Sequence, residues 1–307
     1  MNDTKATTGH LSALITILIW GTTFVSTKTL LNDFTPIEIL IFRFTIGYIS
    51  LLTVYPHRIK TLNVKQELYF VAAGLFGVTL YFLLENIALT YTLASNVGVI
   101  ISIAPFFTAI FAQQFLDSEK LILHFFIGFI VAILGIILIG FNENIVLKIN
   151  PLGSILAALA AIVWAVYSVL MKKISEFHFN TIGCTRKVFF YGLFFMIPSI
   201  FIFHFRLDLN RFTSLSNLLN ILYLGFGASA LCFVTWNFSV KVLGAIKTSV
   251  YIYIVPIIAV VSSAILLHEN ITGIAILGII LTLAGLFISE GKSIVKLRWK
   301  MFDTTTR

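Results

Sequence analysis

Between His10 and Glu290 the chain passes through one apolar stretch after another, each nearly free of charge. Stretches of about 18 to 22 residues, wound as helices, are long enough to cross a hydrocarbon core about 30 Å thick. Inside a bilayer the backbone must satisfy its own hydrogen bonds, so this pattern restricts the chain to membrane-crossing helices. Composition agrees. Of 307 residues, 59% are hydrophobic and 11% charged, where soluble domains carry about 25% charged, and the mean hydropathy is +1.00.

Turn signals cut this sequence into elements: Asn32-Asp33-Phe34-Thr35-Pro36, Pro56-His57-Arg58, Asn142-Glu143-Asn144 and Asn150-Pro151. They predict ten spans, at 10–31, 36–55, 67–85, 92–116, 121–140, 151–173, 182–203, 217–235, 244–267 and 271–290. The first lacks a basic n-region and a small-x-small cleavage site, so it reads as a retained span rather than a signal peptide. The gaps between spans are too short for a soluble domain.

The cations orient the chain. With the N-terminus cytoplasmic, the inside segments hold fourteen Lys and Arg, among them Arg58, Lys60, Lys65, Lys172 and Lys173. The outside connections hold four: Lys28, Lys148, Arg206 and Arg211. The positive-inside rule then predicts a multi-pass protein of the cell membrane with both termini cytoplasmic. The net charge of +8 is accounted for by topology and lipid headgroups, and no basic face for nucleic acid is expected. Cys184 and Cys232 lie in apolar surroundings and suggest neither a disulfide framework nor a metal site.

The chain also repeats. Trp20, Lys28 and Arg43 match Trp164, Lys172 and Lys187 at an offset of 144 residues. Asn86, Ala94 and Pro105 match Asn237, Ala245 and Pro256 at 151, and Glu119, Gly128 and Gly135 match Glu269, Gly278 and Gly285 at 150. Five spans per half is an odd number, so the second half would enter the membrane inverted. The predicted architecture is an all-α integral membrane protein of ten transmembrane helices in two inverted five-helix repeats. The repeats cover 1–145 and 146–292, followed by a basic cytoplasmic tail at 293–307.

These residues resemble the drug/metabolite transporter superfamily in its EamA branch. The resemblance rests on Ile19-Trp20-Gly21-Thr22-Thr23-Phe24, Pro36 with Arg43, Asn86 to Ala94 leading into Pro105, and Glu119 to Gly140 with its copy Glu269 to Gly285. It implies a ten-helix inverted-repeat fold whose members mostly export amino acids and other small metabolites. The motifs describe the shared scaffold and do not imply a substrate.

Polar side chains deep in a membrane normally face the bundle interior, a partner or a cavity. Glu85 is the acid most nearly inside a span; it reads either as a proton-coupling or amine-binding carboxylate, or as an interfacial acid held by water. Its neighbour Asn86 and the repeat partner Asn237 read as helix–helix hydrogen bonds or as ligands. Trp20 and Trp164 lie too deep for an interfacial belt. With Trp236, Tyr167, Tyr251 and Tyr253 they either line an aromatic cavity or pack the core. Thr23, among the small residues of the first span, offers a hydroxyl or simply allows close packing. Asn96 and Lys247 occupy equivalent positions in the two halves, and Lys247 either meets a substrate carboxylate or snorkels to the headgroups. Pro105 and Pro256 interrupt long spans. Arg43, Lys187, Glu119 and Glu269 read as scaffold.

The function predicted is a secondary transporter exporting a small metabolite, a neutral or aromatic amino acid foremost, by alternating access. Its partners would be the bilayer and a small-molecule substrate, with protons the candidate coupling ion, and no cofactor is indicated. There is no GxxxxGK[ST] to bind ATP. The alternative is an integral-membrane enzyme acting on a lipid or lipid-linked substrate, yet the six histidines are scattered without metal-ligand spacing.

Overall fold

The computed structural model describes residues 3–92, 94–116, 123–140, 151–202, 205–266 and 272–290. Among them there is no strand. The helices are α1 (Asp3–Leu30), α2 (Pro36–Val54), α3 (Val64–Tyr91), α4 (Ala94–Ile101), α5 (Ala104–Phe115) and α6 (Leu123–Gly140). After residue 150 come α7 (Pro151–Ser175), α8 (Thr181–Ile202), α9 (Leu215–Leu243), α10 (Ala245–Val250), α11 (Val255–Leu266) and α12 (Gly273–Glu290). Seven helical segments are long and apolar enough to cross a membrane, joined by shorter apolar helices at Leu123–Leu138, Ala245–Ile258 and Ile276–Ser289. The tail at 293–307, Glu119 and Glu269 lie outside the described residues.

Local chemistry sets the helix ends. Thr35 and Glu38 form a capping box around Pro36 at the start of α2, and Asn63 accepts from Gln66 N to start α3. Gly244, at φ 97°, takes the left-handed turn that ends α9.

Two expected spans prove longer. The span expected at 67–85 is α3, reaching Tyr91, and that expected at 217–235 is α9, reaching Leu243. Polar residues near the predicted ends look like exits from the membrane, but their side chains bond within the bundle. Asn86 Nδ2 donates to Pro36 O at 3.3 Å, and Ser239 Oγ to Gly9 O at 2.8 Å. Glu85 therefore sits more than a turn inside its helix rather than at its end, and is 3% exposed.

The two proline-bearing spans are broken. A turn at Ser102–Ile103 separates α4 from α5, with Pro105 in the first turn of α5. A 3-10 helix, Tyr251–Ile254, separates α10 from α11, with Pro256 just beyond it. Proline lacks an N–H and fits best near a helix start, which is where Pro105 and Pro256 stand after their breaks, whereas Pro198 lies inside α8 without ending it. Two π segments, Leu75–Leu80 in α3 and Tyr223–Leu231 in α9, had no sequence signal.

The packing crosses between the halves. Helix α1 runs antiparallel to α9: Thr16 meets Thr235 at 2.6 Å and Trp20 Nε1 donates to Ala228 O at 2.9 Å. Helix α7 runs antiparallel to α3, where Tyr91 lies against Gly153 and Tyr167 against Gly77. Helices α6 and α12 cross antiparallel through glycines, so that a Cβ on Gly128 would lie 2.5 Å from Gly285 O and one on Gly135 2.6 Å from Gly278 O. Such small-residue crossings let backbones touch, which drives association where lipid is as apolar as leucine.

Candidate functional site

A small cavity lies where α1, α3, α4, α7 and the break before α11 converge. Its walls include Trp20, Thr23, Tyr81, Phe82, Glu85 and Trp164, and it encloses about 30 Å³. That is room for one or two water molecules, not for a metabolite, whose pockets usually exceed about 300 Å³. The site is too constricted for a metabolite in this conformation.

Aromatic rings close it. Trp20 and Trp164 meet with centroids 5.1 Å apart, Tyr81 lies 4.7 Å from Trp164, and Trp236 backs both indoles at 5.2 and 5.9 Å. Trp20 is fixed by its bond to Ala228 O, a carbonyl of the π segment in α9. Lengthening the ladder to i→i+5 shifts the carbonyls of that turn, a geometry that often marks functional sites.

Two polar atoms at the walls are buried without a partner: Glu85 Oε2, an acceptor, and Trp164 Nε1, a donor. A buried polar group left unbonded costs about 1 to 3 kcal/mol. A donor and an acceptor both left so beside a cavity mark where a polar guest belongs. Arg43 and Tyr81 are the neighbours that act on the Glu85 carboxylate.

Of the residues expected to bind, Trp20, Thr23, Glu85 and Trp164 line the cavity, and Trp236 stands behind them. The others fall elsewhere. Tyr167 donates to Asn237 Oδ1 at 2.9 Å, and Asn237 Nδ2 to Thr185 Oγ1 at 3.0 Å, a buried relay joining α7, α8 and α9. Asn86 is tied to the first turn of α2. Tyr251 meets His10 Nδ1 at 2.7 Å, and the exposed Lys247 acts on that same His10. This group sits toward the N-terminal end of α1. Tyr253 is fully buried, in the cluster against α6 and α12. The side chain of Asn96 lies outside the described residues.

Sequence reasoning passed over Tyr81 and Phe82, which also line the cavity; an aromatic pair gives no signal in an apolar run. A second recess of about 310 Å³, between Tyr69, Phe111, Phe115, Val169, Leu170 and Lys173, is larger. Its wall is almost wholly apolar and offers little to orient a polar guest.

The sequence profile of the EamA-like transporter family matches residues 7–141 and 151–290. An uncharacterized transporter of Clostridium kluyveri is 28% identical over 299 residues, which cover 92% of each chain. A protein of Escherichia coli named a probable amino-acid metabolite efflux pump is 25% identical over 301 residues, covering 94% of this chain and 95% of its own. One solved crystal structure matches with a TM-score of 0.72 at 18% identity, covering 95% of this chain and 99% of that one. That likeness concerns the fold.

Proposed function

We propose, for a chain that belongs to the EamA-like transporter family, a secondary transporter that exports small metabolites across the plasma membrane, neutral or aromatic amino acids foremost. The observation that carries this reading is the constricted aromatic cavity with an unpartnered acceptor on Glu85 and an unpartnered donor on Trp164. Both halves contribute walls, so rocking one half against the other would open the cavity to one face and then the other.

Several features support the finer picture. The seven long helical segments and three shorter ones amount to ten crossings if each traverses the bilayer. The halves 1–145 and 146–292 are then two five-helix repeats. The antiparallel pairs α1 with α9, α7 with α3, and α6 with α12 are what inversion of one repeat would produce. The excess of Lys and Arg on the side of Arg58, Lys65 and Lys172 favours cytoplasmic termini. A relative named a probable amino-acid metabolite efflux pump favours amino acids. Protons are the proposed coupling ion, carried by Glu85.

Counterflow in proteoliposomes with radiolabelled amino acids, nucleosides and sugars tests the proposal. Exchange of neutral or aromatic amino acids is expected. Exchange confined to nucleosides or sugars overturns the substrate class, and chemical turnover of a lipid by the purified protein overturns transport itself.

A further inference from the structure

Arg43 lies midway along α2 and is 1% exposed. Its Nε donates to Ser229 Oγ at 3.0 Å, in the π segment of α9, and its Nη2 has no partner. The guanidinium lies over the ring of Phe82, 4.4 Å from the centroid, and 5.2 Å from that of Phe44. Phe82 is itself a wall of the cavity. One ring thus separates the cavity from a buried cation with an unused N–H. Glu85 is one helical turn further along α3 on the same face. It is the acid that acts on Arg43, and the other titratable groups acting there are Tyr81, Tyr223 and Cys232.

A buried guanidinium kept only as scaffold would have its donors filled, because an unbonded charged donor in the interior is costly. Arg43 holds one back beside the cavity. We propose that Arg43 is the carboxylate-binding half of the site, so that the guest is a zwitterionic α-amino acid whose ammonium meets Glu85 and whose carboxylate meets Arg43 when Phe82 turns aside. The proposal rests on the transport reading above and narrows it.

The electrostatics select for the zwitterion. With the cavity empty, Glu85 and Arg43 compensate one another. An ammonium group that occupies Glu85 leaves Arg43 in need of an anion, and an α-amino acid brings one. An amine without a carboxylate leaves the guanidinium unmatched. A carboxylic acid without an amine sets two negative groups against one cation. Discrimination comes from the mismatch each analogue leaves behind.

The test is counterflow of labelled phenylalanine in proteoliposomes, with phenethylamine and phenylpropionate as competitors. Phenylalanine should compete about 10- to 100-fold better than either analogue, the range expected for one charge-assisted contact. Arg43→Gln should weaken phenylalanine by a similar factor and strengthen phenethylamine, whose unmatched guanidinium is gone. Equal loss for both ligands, or no loss, overturns the carboxylate role while leaving transport intact. Should Arg43→Gln fail to fold, the unaltered protein decides: an amine or an acid competing as well as phenylalanine overturns the proposal. A protein that exchanges no amino acid at all overturns the transport reading, and this one with it.

Discussion

Trp20 and Trp164 meet edge to face, their planes at 85° and their centroids 5.1 Å apart. Residues at matched positions of the two halves therefore close one cavity together. Aromatic pairs of this kind contribute about 0.5–1.5 kcal/mol beyond the area they bury. In Trp164→Ala a bulky guest loses a wall that a small one hardly touches. The apparent affinity for phenylalanine should fall about tenfold in counterflow, and that for alanine much less. A uniform loss for both, with a lowered melting temperature, would make Trp164 a packing residue.

Glu85→Gln keeps the side chain's size and an acceptor oxygen but cannot ionise. If the proton rides on Glu85, the pH dependence of exchange should flatten in this variant while the unaltered protein retains its slope. Transport rates measured from acidic to alkaline pH in matched liposomes check it. An unchanged profile would remove Glu85 from coupling and leave it a ligand or a structural acid.

Much of this fold was legible because a bilayer permits so few solutions. The apolar runs located the helices, and Pro105 and Pro256 located the two breaks, since a ring without an N–H can act in few ways. The ends of α3 and α9 were misplaced because Asn86 and Ser239 look polar in sequence, while in three dimensions each bonds to the backbone of another helix. The π segments were invisible, since one extra residue in a turn changes hydrogen bonding without changing composition. In the candidate site, the deep tryptophans and Glu85 could be picked out as residues a membrane would not carry idly. Tyr167 and Asn237 could not be sorted from ligands, because a buried polar side chain looks the same in sequence whether its partner is a guest or, as here, a neighbouring helix. Tyr167→Phe should accordingly lower thermal stability by about 1 kcal/mol and leave the order of preferred substrates unchanged in counterflow. An altered order would place its hydroxyl among the ligand contacts.

The crossing of α6 and α12 tolerates no side chain at Gly285, where a Cβ would lie 2.4 Å from Ala132 N and 2.6 Å from Gly128 O. Both obstacles are backbone and cannot rotate away. Gly285→Val should force the helices apart and cost about 1–3 kcal/mol or more, read as a lower melting temperature in detergent. Gly273→Ala makes the control, because nothing lies within 4 Å of the added carbon. Equal melting of the two variants would mean that the close crossing contributes little to stability.

Two polar latches join the halves at opposite ends of the bundle. At the start of α2, Glu38 accepts from Arg211 Nη1 at 2.8 Å and Nη2 at 3.2 Å, and these bonds hold the guanidinium above its ordinary pKa. At the start of α3, which runs antiparallel to α2, Glu67 accepts from Lys187 Nζ at 2.6 Å, from Thr61 and from Tyr191. With both latches made, the cavity is too constricted for a metabolite. Arg211→Gln should favour opening at the Glu38 end, and Lys187→Met at the Glu67 end. A latch worth about 1–2 kcal/mol would shift the populations about 5- to 30-fold. A cysteine at Thr23→Cys, a cavity wall, reports the shift to an impermeant maleimide added to either face of the membrane. Cys184 and Cys232 are buried, and the protein without Thr23→Cys supplies their background. Arg211→Gln should speed labelling from one face and Lys187→Met from the other. Faster labelling from the same face in both variants, or no change in either, would show that the latches hold helices together without governing which side the cavity meets.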